Sequence, residues 1–210
     1  MMDRNVLAIG ALAALGASQA WGLDVIGGQT SVLLDTALLN SAAGLDLSGV
    51  SSDVIAPGNL GAGSVAFAIN TRDASSLPTT FAYTPGLASF SGAIEHTGSV
   101  FFNVGTVEVG NFTIGFDQVR ADAGLSGFFV ESTTGIAAIL FDIAPVVEQA
   151  DAGGLRISGD LLVSSEFATF LGNNALTGVD VGDALVEAVP APGAATLFAL
   201  GAAAAGRRRR

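Results

Sequence analysis

The chain has 210 residues, room for one ordinary domain, and a formal net charge of −11 with no lysine and no cysteine. Between Trp21 and Ala188, eighteen carboxylates stand against three arginines, a formal −15. That field repels phosphate backbones and anionic lipid and excludes a nucleic-acid partner. The missing thiols exclude cysteine nucleophiles and thiolate metal sites, and a domain of roughly 165 residues can bury a core without disulfides.

The first segment carries an address. Arg4 precedes an apolar stretch from Val6 to Ala17, and Ser18-Gln19-Ala20 follows it with small residues at the first and third positions. This is the basic, apolar and small-x-small order of a secretory signal peptide, predicted to be cut after Ala20. The stretch would make a helix of only ~18 Å, short for a bilayer span, and it has no polar face for a surface helix.

From residue 21 to 188 the periodicity is mostly two, the period of strands. Leu33 to Ala43 reads as a short helix stopped at Gly44. Strands are predicted over Ser64–Asn70, through Phe90, Gly92 and Ile94, and from Val100 through Phe102 and Val104 on to Val107 and Val109. Thr97-Gly98 and Gly110-Asn111 read as turns, since Gly and Asn tolerate positive φ. Further strands are expected at Phe112–Phe116, Gly127–Glu131, Ile136–Ile143, Leu155–Val163 and Val179–Val186. Ser164 or Ser165 would cap a second short helix carrying Phe167 and Phe170 and ending at Gly172. Many short strands with Gly- and Asn-rich turns predict a mainly β fold, a single antiparallel sandwich or jelly-roll-like domain with one or two short helices.

The order Ser91-Gly92-Ala93-Ile94-Glu95-His96-Thr97-Gly98-Ser99-Val100-Phe101-Phe102 resembles HtaA-type haem-binding surface domains, which use a Gly-rich hairpin with Tyr and His. If that resemblance extends to function, Tyr83 and His96 are the residues that would serve as iron ligand and partner.

The tail is the second address. Val189-Pro190-Ala191-Pro192-Gly193 cannot be helical, because each proline restricts itself and the residue before it. An apolar stretch, Ala194 to Ala205, leads to Arg207-Arg208-Arg209-Arg210, which the positive-inside rule keeps in the cytoplasm. Pro190-Ala191-Pro192, the apolar stretch and Arg207 to Arg210 together resemble the PEP-CTERM sorting signal of Gram-negative bacteria, with Ala191 where glutamate is usual. The resemblance implies an exosortase-type processing enzyme as partner and membrane association before processing. It places the mature protein between about Trp21 and Pro190. The chain thus divides into a signal peptide (1–20), a β domain (21–188) and a sorting or anchoring signal (189–210).

Chemistry in the middle is sparse. His96 is the single histidine, no G-x-S-x-G elbow accompanies it, and no helical H-E-x-x-H exists, so neither a catalytic residue nor a metal set is assigned. Asp180-Val181-Gly182-Asp183 is the one short acidic motif a calcium ion would consider, and solvated carboxylates explain it better. Glu95, Glu108, Asp117 and Glu131 fall on neighbouring predicted strands, the minimum a glycosidase pair requires. The thirteen Phe residues read as core, and each arginine has an acid close in sequence: Asp73, Asp122 and Asp160. The expectation is a non-enzymatic exported component of the envelope or extracellular matrix, with polysaccharide as a candidate contact and no cofactor. A module binding haem or a small apolar molecule is the alternative, and a hydrolase comes third.

Overall fold

A computed structural model describes residues 22–121 and 124–192. The signal segment with Ser18 and Ala20, and the apolar tail with Arg207 to Arg210, lie outside those residues. The described part is mainly β, antiparallel and a single domain with two short α-helices, as the periodicity implied. Its strands are β1 (Leu23–Leu34), β2 (Leu47–Val50), β3 (Val65–Ala68), β4 (Ala82–Tyr83), β5 (Phe90–Ser91), β6 (Ile94–Glu95), β7 (Ser99–Phe102), β8 (Val107–Phe116), β9 (Phe128–Gly135), β10 (Ala138–Asp151), β11 (Gly154–Val163) and β12 (Asp180–Pro190). The helices are α1 (Thr36–Ala43) and α2 (Ser165–Phe170).

All strands belong to one sheet, ordered β2-β7-β8-β9-β10-β11-β12-β1-β4-β5. The sheet curls until its middle meets itself. β3 pairs with β1, β6 pairs with β8, and an isolated bridge between Ile69 and His96 joins these two additions. The hydrogen bond from Asn70 N–H to Glu95 O (2.8 Å) extends the seam, while that from Ile69 N–H to Gly28 O (2.9 Å) carries the β1–β3 ladder up to it. Eight strands therefore close a ring, and at that count the interior is just wide enough to be filled by side chains. Phe67 of β3 meets Phe112 of β8 edge-on across the interior at 4.9 Å between centroids. One continuous sheet supplies both walls of a single core.

Local chemistry explains the helices. Asp35 accepts the Leu38 N–H at 2.9 Å and starts α1, and Gly44 at φ 67 ends it. The helix thus begins three residues later than the sequence suggests, because Leu33 and Leu34 finish β1 opposite Asp183 and Gly182. Ser164 caps α2 through the Phe167 N–H at 3.0 Å, while its own hydroxyl donates to Ile139 O at 2.7 Å.

Several strand boundaries differ from expectation: β9 runs on to Gly135 and β10 to Asp151, β1, β2 and β4 are strands the periodicity does not show, and three further differences have a backbone reason. Gly110-Asn111 is no turn: both lie inside β8, where Asn111 at φ 49 bends the strand and its N–H donates to Gly98 O at 2.8 Å. The real turn is Asn103–Thr106, between β7 and β8, with Val104 at φ 57 and 90% exposed. Phe90 to Ile94 is two strands, because Gly92 at φ 81 lies against the backbone of Thr80 and breaks the run.

β1 and β12 run antiparallel from Leu34 opposite Gly182 to Val25 opposite Pro190. Gly28, at φ 122, packs so closely that any Cβ would collide with the Glu187 carbonyl oxygen. Gly28→Ala is expected to lower stability by about 3 kcal/mol, since it combines a forbidden φ with a backbone clash in a central pair. A urea midpoint unchanged from wild type would show that β1 does not approach β12 in this way.

Candidate functional site

His96 is 1% exposed and sits at the seam. Its backbone N–H and its Nδ1 both lie 2.9 Å from the carbonyl oxygen of Phe112, and its Nε2 lies 2.8 Å from Thr30 Oγ1. A carbonyl only accepts, so Nδ1 carries the proton and donates to it. Nε2 is then the lone-pair nitrogen, and the Thr30 hydroxyl donates to it. The ring therefore ties β1 to β8 with both nitrogens engaged. Burial pushes its pKa down to about 4, against a smaller upward pull from the Phe112 carbonyl.

Tyr83 is also 1% exposed, but its hydroxyl donates at 2.8 Å to the carbonyl oxygen of Asp151, the last residue of β10. Burial raises its pKa, and the nearby Asp151 charge adds to that. Tyr83 is paired with Leu23 of β1, whereas His96 reaches Thr30 of the same strand. Seven residues of strand correspond to roughly 20 Å. The structure does not bring Tyr83 and His96 into one pocket.

Beside the seam lies a cavity of about 60 Å³, bounded by Phe67, Val100, Phe112, Leu140, Leu161 and Phe167 among others. Thr30 and His96 border it with their polar atoms already bonded to each other, so it presents an apolar wall. A second void of about 20 Å³ lies near Phe81 and Ile94.

The charged residues form frames rather than clefts. Arg120 donates to Asp142 of β10 at 2.7 and 3.1 Å and to Glu166 of α2 at 2.6 and 3.1 Å. Its guanidinium holds the Glu166 carboxyl down at about 2, and the two acids in turn raise its own pKa. Arg156 of β11 bonds Glu148 of β10 and Glu187 of β12, and Arg72 reaches Asp24 at 3.5 Å. The partners are acids across the sheet, not Asp73 or Asp160, which are merely close in sequence; Asp122 lies outside the described residues. Pairing through the sheet sets these contacts.

Glu95 and Glu131 flank Thr113 in one row over β6, β8 and β9, half-buried, with Thr113 Oγ1 donating to Glu95 at 2.6 Å. Glu108 accepts from Ser99 Oγ at 2.6 Å, and Asp117 accepts the Val119 N–H at 2.9 Å. None of the four lines either void. Asp180 accepts the Gly182 N–H at 3.1 Å, and among the described residues no three His, Cys, Asp or Glu side chains converge as a metal set would. Of the residues read as a sorting motif, Pro190 is the last residue of β12, Ala191 donates its N–H to Asp24 O at 2.7 Å, and Pro192 is exposed. Thr30 and the Phe112 carbonyl are the residues that sequence reasoning passed over. A Thr in a Gly-rich stretch and a main-chain oxygen give no signal until the ring closes.

The architecture defined by these observations is a curled, self-closing antiparallel β domain with short capping helices. A solved structure shares it: the C-terminal domain of HtaA from Corynebacterium glutamicum, at a TM-score of 0.51 and 16% identity, covering 80% of this chain and 99% of that one. The resemblance read in residues 91–102 therefore holds at the level of the fold. No family model matches the chain, and no curated protein does.

The imidazole makes stability depend on pH. Above about pH 6.5 it is neutral in both folded and unfolded chains and contributes no dependence. As pH falls from 6.5 towards 4, the unfolded chain takes up a proton that the folded one refuses, so stability drops, by about 3 kcal/mol once pH reaches 4. His96→Gln keeps a donor and an acceptor but does not titrate. The wild type should lose more of its urea midpoint between pH 7 and pH 4.5 than the variant loses. Equal losses would place His96 in water rather than in the seam.

Proposed function

We propose that the chain is an exported, non-enzymatic module of the cell envelope or extracellular matrix, directed outward by its first segment and held or sorted by its tail. One observation carries this reading: the side chains suited to chemistry are already bonded into the frame. His96 has both nitrogens engaged, Tyr83 is anchored to Asp151, and Arg120 and Arg156 are each shared between two acids. What remains is a strongly acidic, rigid surface, suited to staying soluble outside a cell and to contacting matrix or polysaccharide. The tail's resemblance to the PEP-CTERM signal supports an exosortase-type enzyme as processing partner and a transient membrane stage.

A second reading, a module binding haem or a small apolar molecule, is favoured by the likeness to the HtaA domain and by the apolar cavity. It ranks second on two grounds. The apolar cavity of about 60 Å³ is far below the roughly 300–1,000 Å³ of ordinary ligand pockets, and the open groove of about 460 Å³ at Thr36, Asn40 and Asp46 holds neither Tyr83 nor His96. Tyr83 is buried, hydrogen-bonded and remote from His96.

Haemin titrated into the full chain in detergent is expected to give no saturable Soret band. A saturable band that Tyr83→Phe abolishes would make the second reading the correct one. Tyr83→Phe itself should cost about 1 kcal/mol, the net value of one buried hydrogen bond, read as a lower urea midpoint. In the native host, the envelope or secreted form should have an intact mass without residues 1–20 and without Arg207 to Arg210. A mass that still includes the four arginines would reduce the tail to an anchor.

A further inference from the structure

The two ends of the described domain are neighbours. Val25 faces Pro190 across the β1–β12 ladder, and the pairing runs one residue further through the Ala191 N–H to Asp24 O. β12 is not an edge: β11 pairs along its other side, up to Leu155 opposite Ala188. Pro190 is buried, although Val189 is 54% exposed. The apolar stretch read from the sequence begins at Ala194, so residues 191–193 give at most ~10 Å of chain between the sheet and the bilayer.

We infer that docking of β12 onto β1 closes the processing site: a protease reaches the Pro190–Pro192 segment only while β12 is off the sheet. This rests on the reading that the tail is processed. A protease grips its substrate as an extended strand over several residues on either side of the bond it cuts. A cut at Pro190, Ala191 or Pro192 therefore engages residues of β12, whose hydrogen-bonding edges are already occupied by β1 and β11. Peeling β12 away exposes Val181, Ala184, Val186 and Ala188, all buried, and opens the ring, so the motion approaches global unfolding. During export the position is reversed. Among the described strands β12 is the last made, yet it is interior to the sheet, so the ring cannot close before it is delivered. A chain held by its tail passes through an interval in which Pro190 to Pro192 is extended and free. Processing takes place in that interval, and chains that fold first keep their tails.

The test has two arms. Full-length chain in detergent is treated with proteinase K, and the new C-terminus is read by intact mass. Native protein should lose its tail only beyond Pro192, while urea should open cuts within 181–192. Oxidised Gln29→Cys/Glu187→Cys, a directly opposed pair in a chain without other cysteines, should suppress those cuts relative to its reduced form. Native cleavage within 181–192 as fast as in the unfolded chain overturns the inference. In the native host, pulse–chase should show tail loss confined to chains still sensitive to proteinase K within 22–190. Conversion of already resistant full-length chains to the tail-less form overturns the gate. Absence of any tail loss, with the first arm intact, overturns the processing reading instead.

Discussion

His96 sits where two runs of strand meet after travelling round opposite sides of the core, and its nitrogens reach in opposite directions. Nδ1 donates to a carbonyl on β8, and Nε2 receives a hydroxyl from β1. Without these contacts the seam is one bridge and a few flanking hydrogen bonds, between strands of only four and two residues. Short strands bury little on their own, and isolated pairs are marginal in water. The imidazole supplies side-chain bonds where main-chain pairing is sparse. It does so only while neutral, because a charge there would be stranded in an apolar interior. The seam therefore also keeps the interior beside it uncharged, with one neutral, fully bonded ring within, while the buried carboxylate of Asp142 is neutralised by Arg120.

Ion pairing of this kind explains how a chain so rich in carboxylates stays compact. Self-repulsion among acids opposes folding, and with three arginines in the domain, placement matters more than number. Arg156 sits on β11 between Glu148 and Glu187, so one cation serves three adjacent strands. Glu148 can take part because the β10–β11 register shifts between Val147 and Gln149. Arg120 is the more sheltered, at 15% side-chain exposure, and fastens α2 to β10 through Glu166 and Asp142. Exposed pairs of the first kind are screened by solvent and contribute little, and the sheltered bidentate pair contributes more.

Much of this was legible in the sequence, and the remainder was hidden for identifiable reasons. Alternation located β3, β11 and β12 and the second half of β8, because one face of each packs inward and the period-two signal survives. The same signal failed in β1, where Gly27 and Gly28 blank two positions and the register shifts beside Ile26. Leu33 and Leu34, freed from that strand in the reading, were credited to the helix. Val104 fitted the alternation perfectly and still lies in a turn, since Gly105 and Asn103 beside it supply the positive φ that a turn demands. Most of the Phe residues read as core are core, with Phe81, Phe90, Phe116 and Phe128 in one aromatic cluster at centroid distances of 4.9–5.9 Å; Phe170, 57% exposed, is not, and Phe198 lies outside the described residues. The role of His96 was not legible. A polar residue near a Gly-rich turn looks like a surface residue until closure of the ring brings Thr30 to it from sixty-six positions away.

Closure and cavity are one object in this fold, and that bears on what the domain can hold. Thr30 and His96 form the seam and also part of the cavity wall, so enlarging the cavity on that side means parting them. The other walls are apolar side chains from both helices and from nearly every strand of the ring, with no polar group left over to orient a guest. Ligand pockets combine apolar area with a few unengaged polar groups that fix orientation. This interior has the first and lacks the second. A ligand of ordinary size would have to bind on the outer surface, where an open groove of about 460 Å³ lies beside α1 at Thr36, Asn40 and Asp46, or open the ring. Opening the ring exposes His96 to water, where its proton affinity rises, so an acidic exterior would favour the open form and a neutral one the closed. The interior is thus built to stay shut near neutral pH, and the surface is what the domain offers to its surroundings.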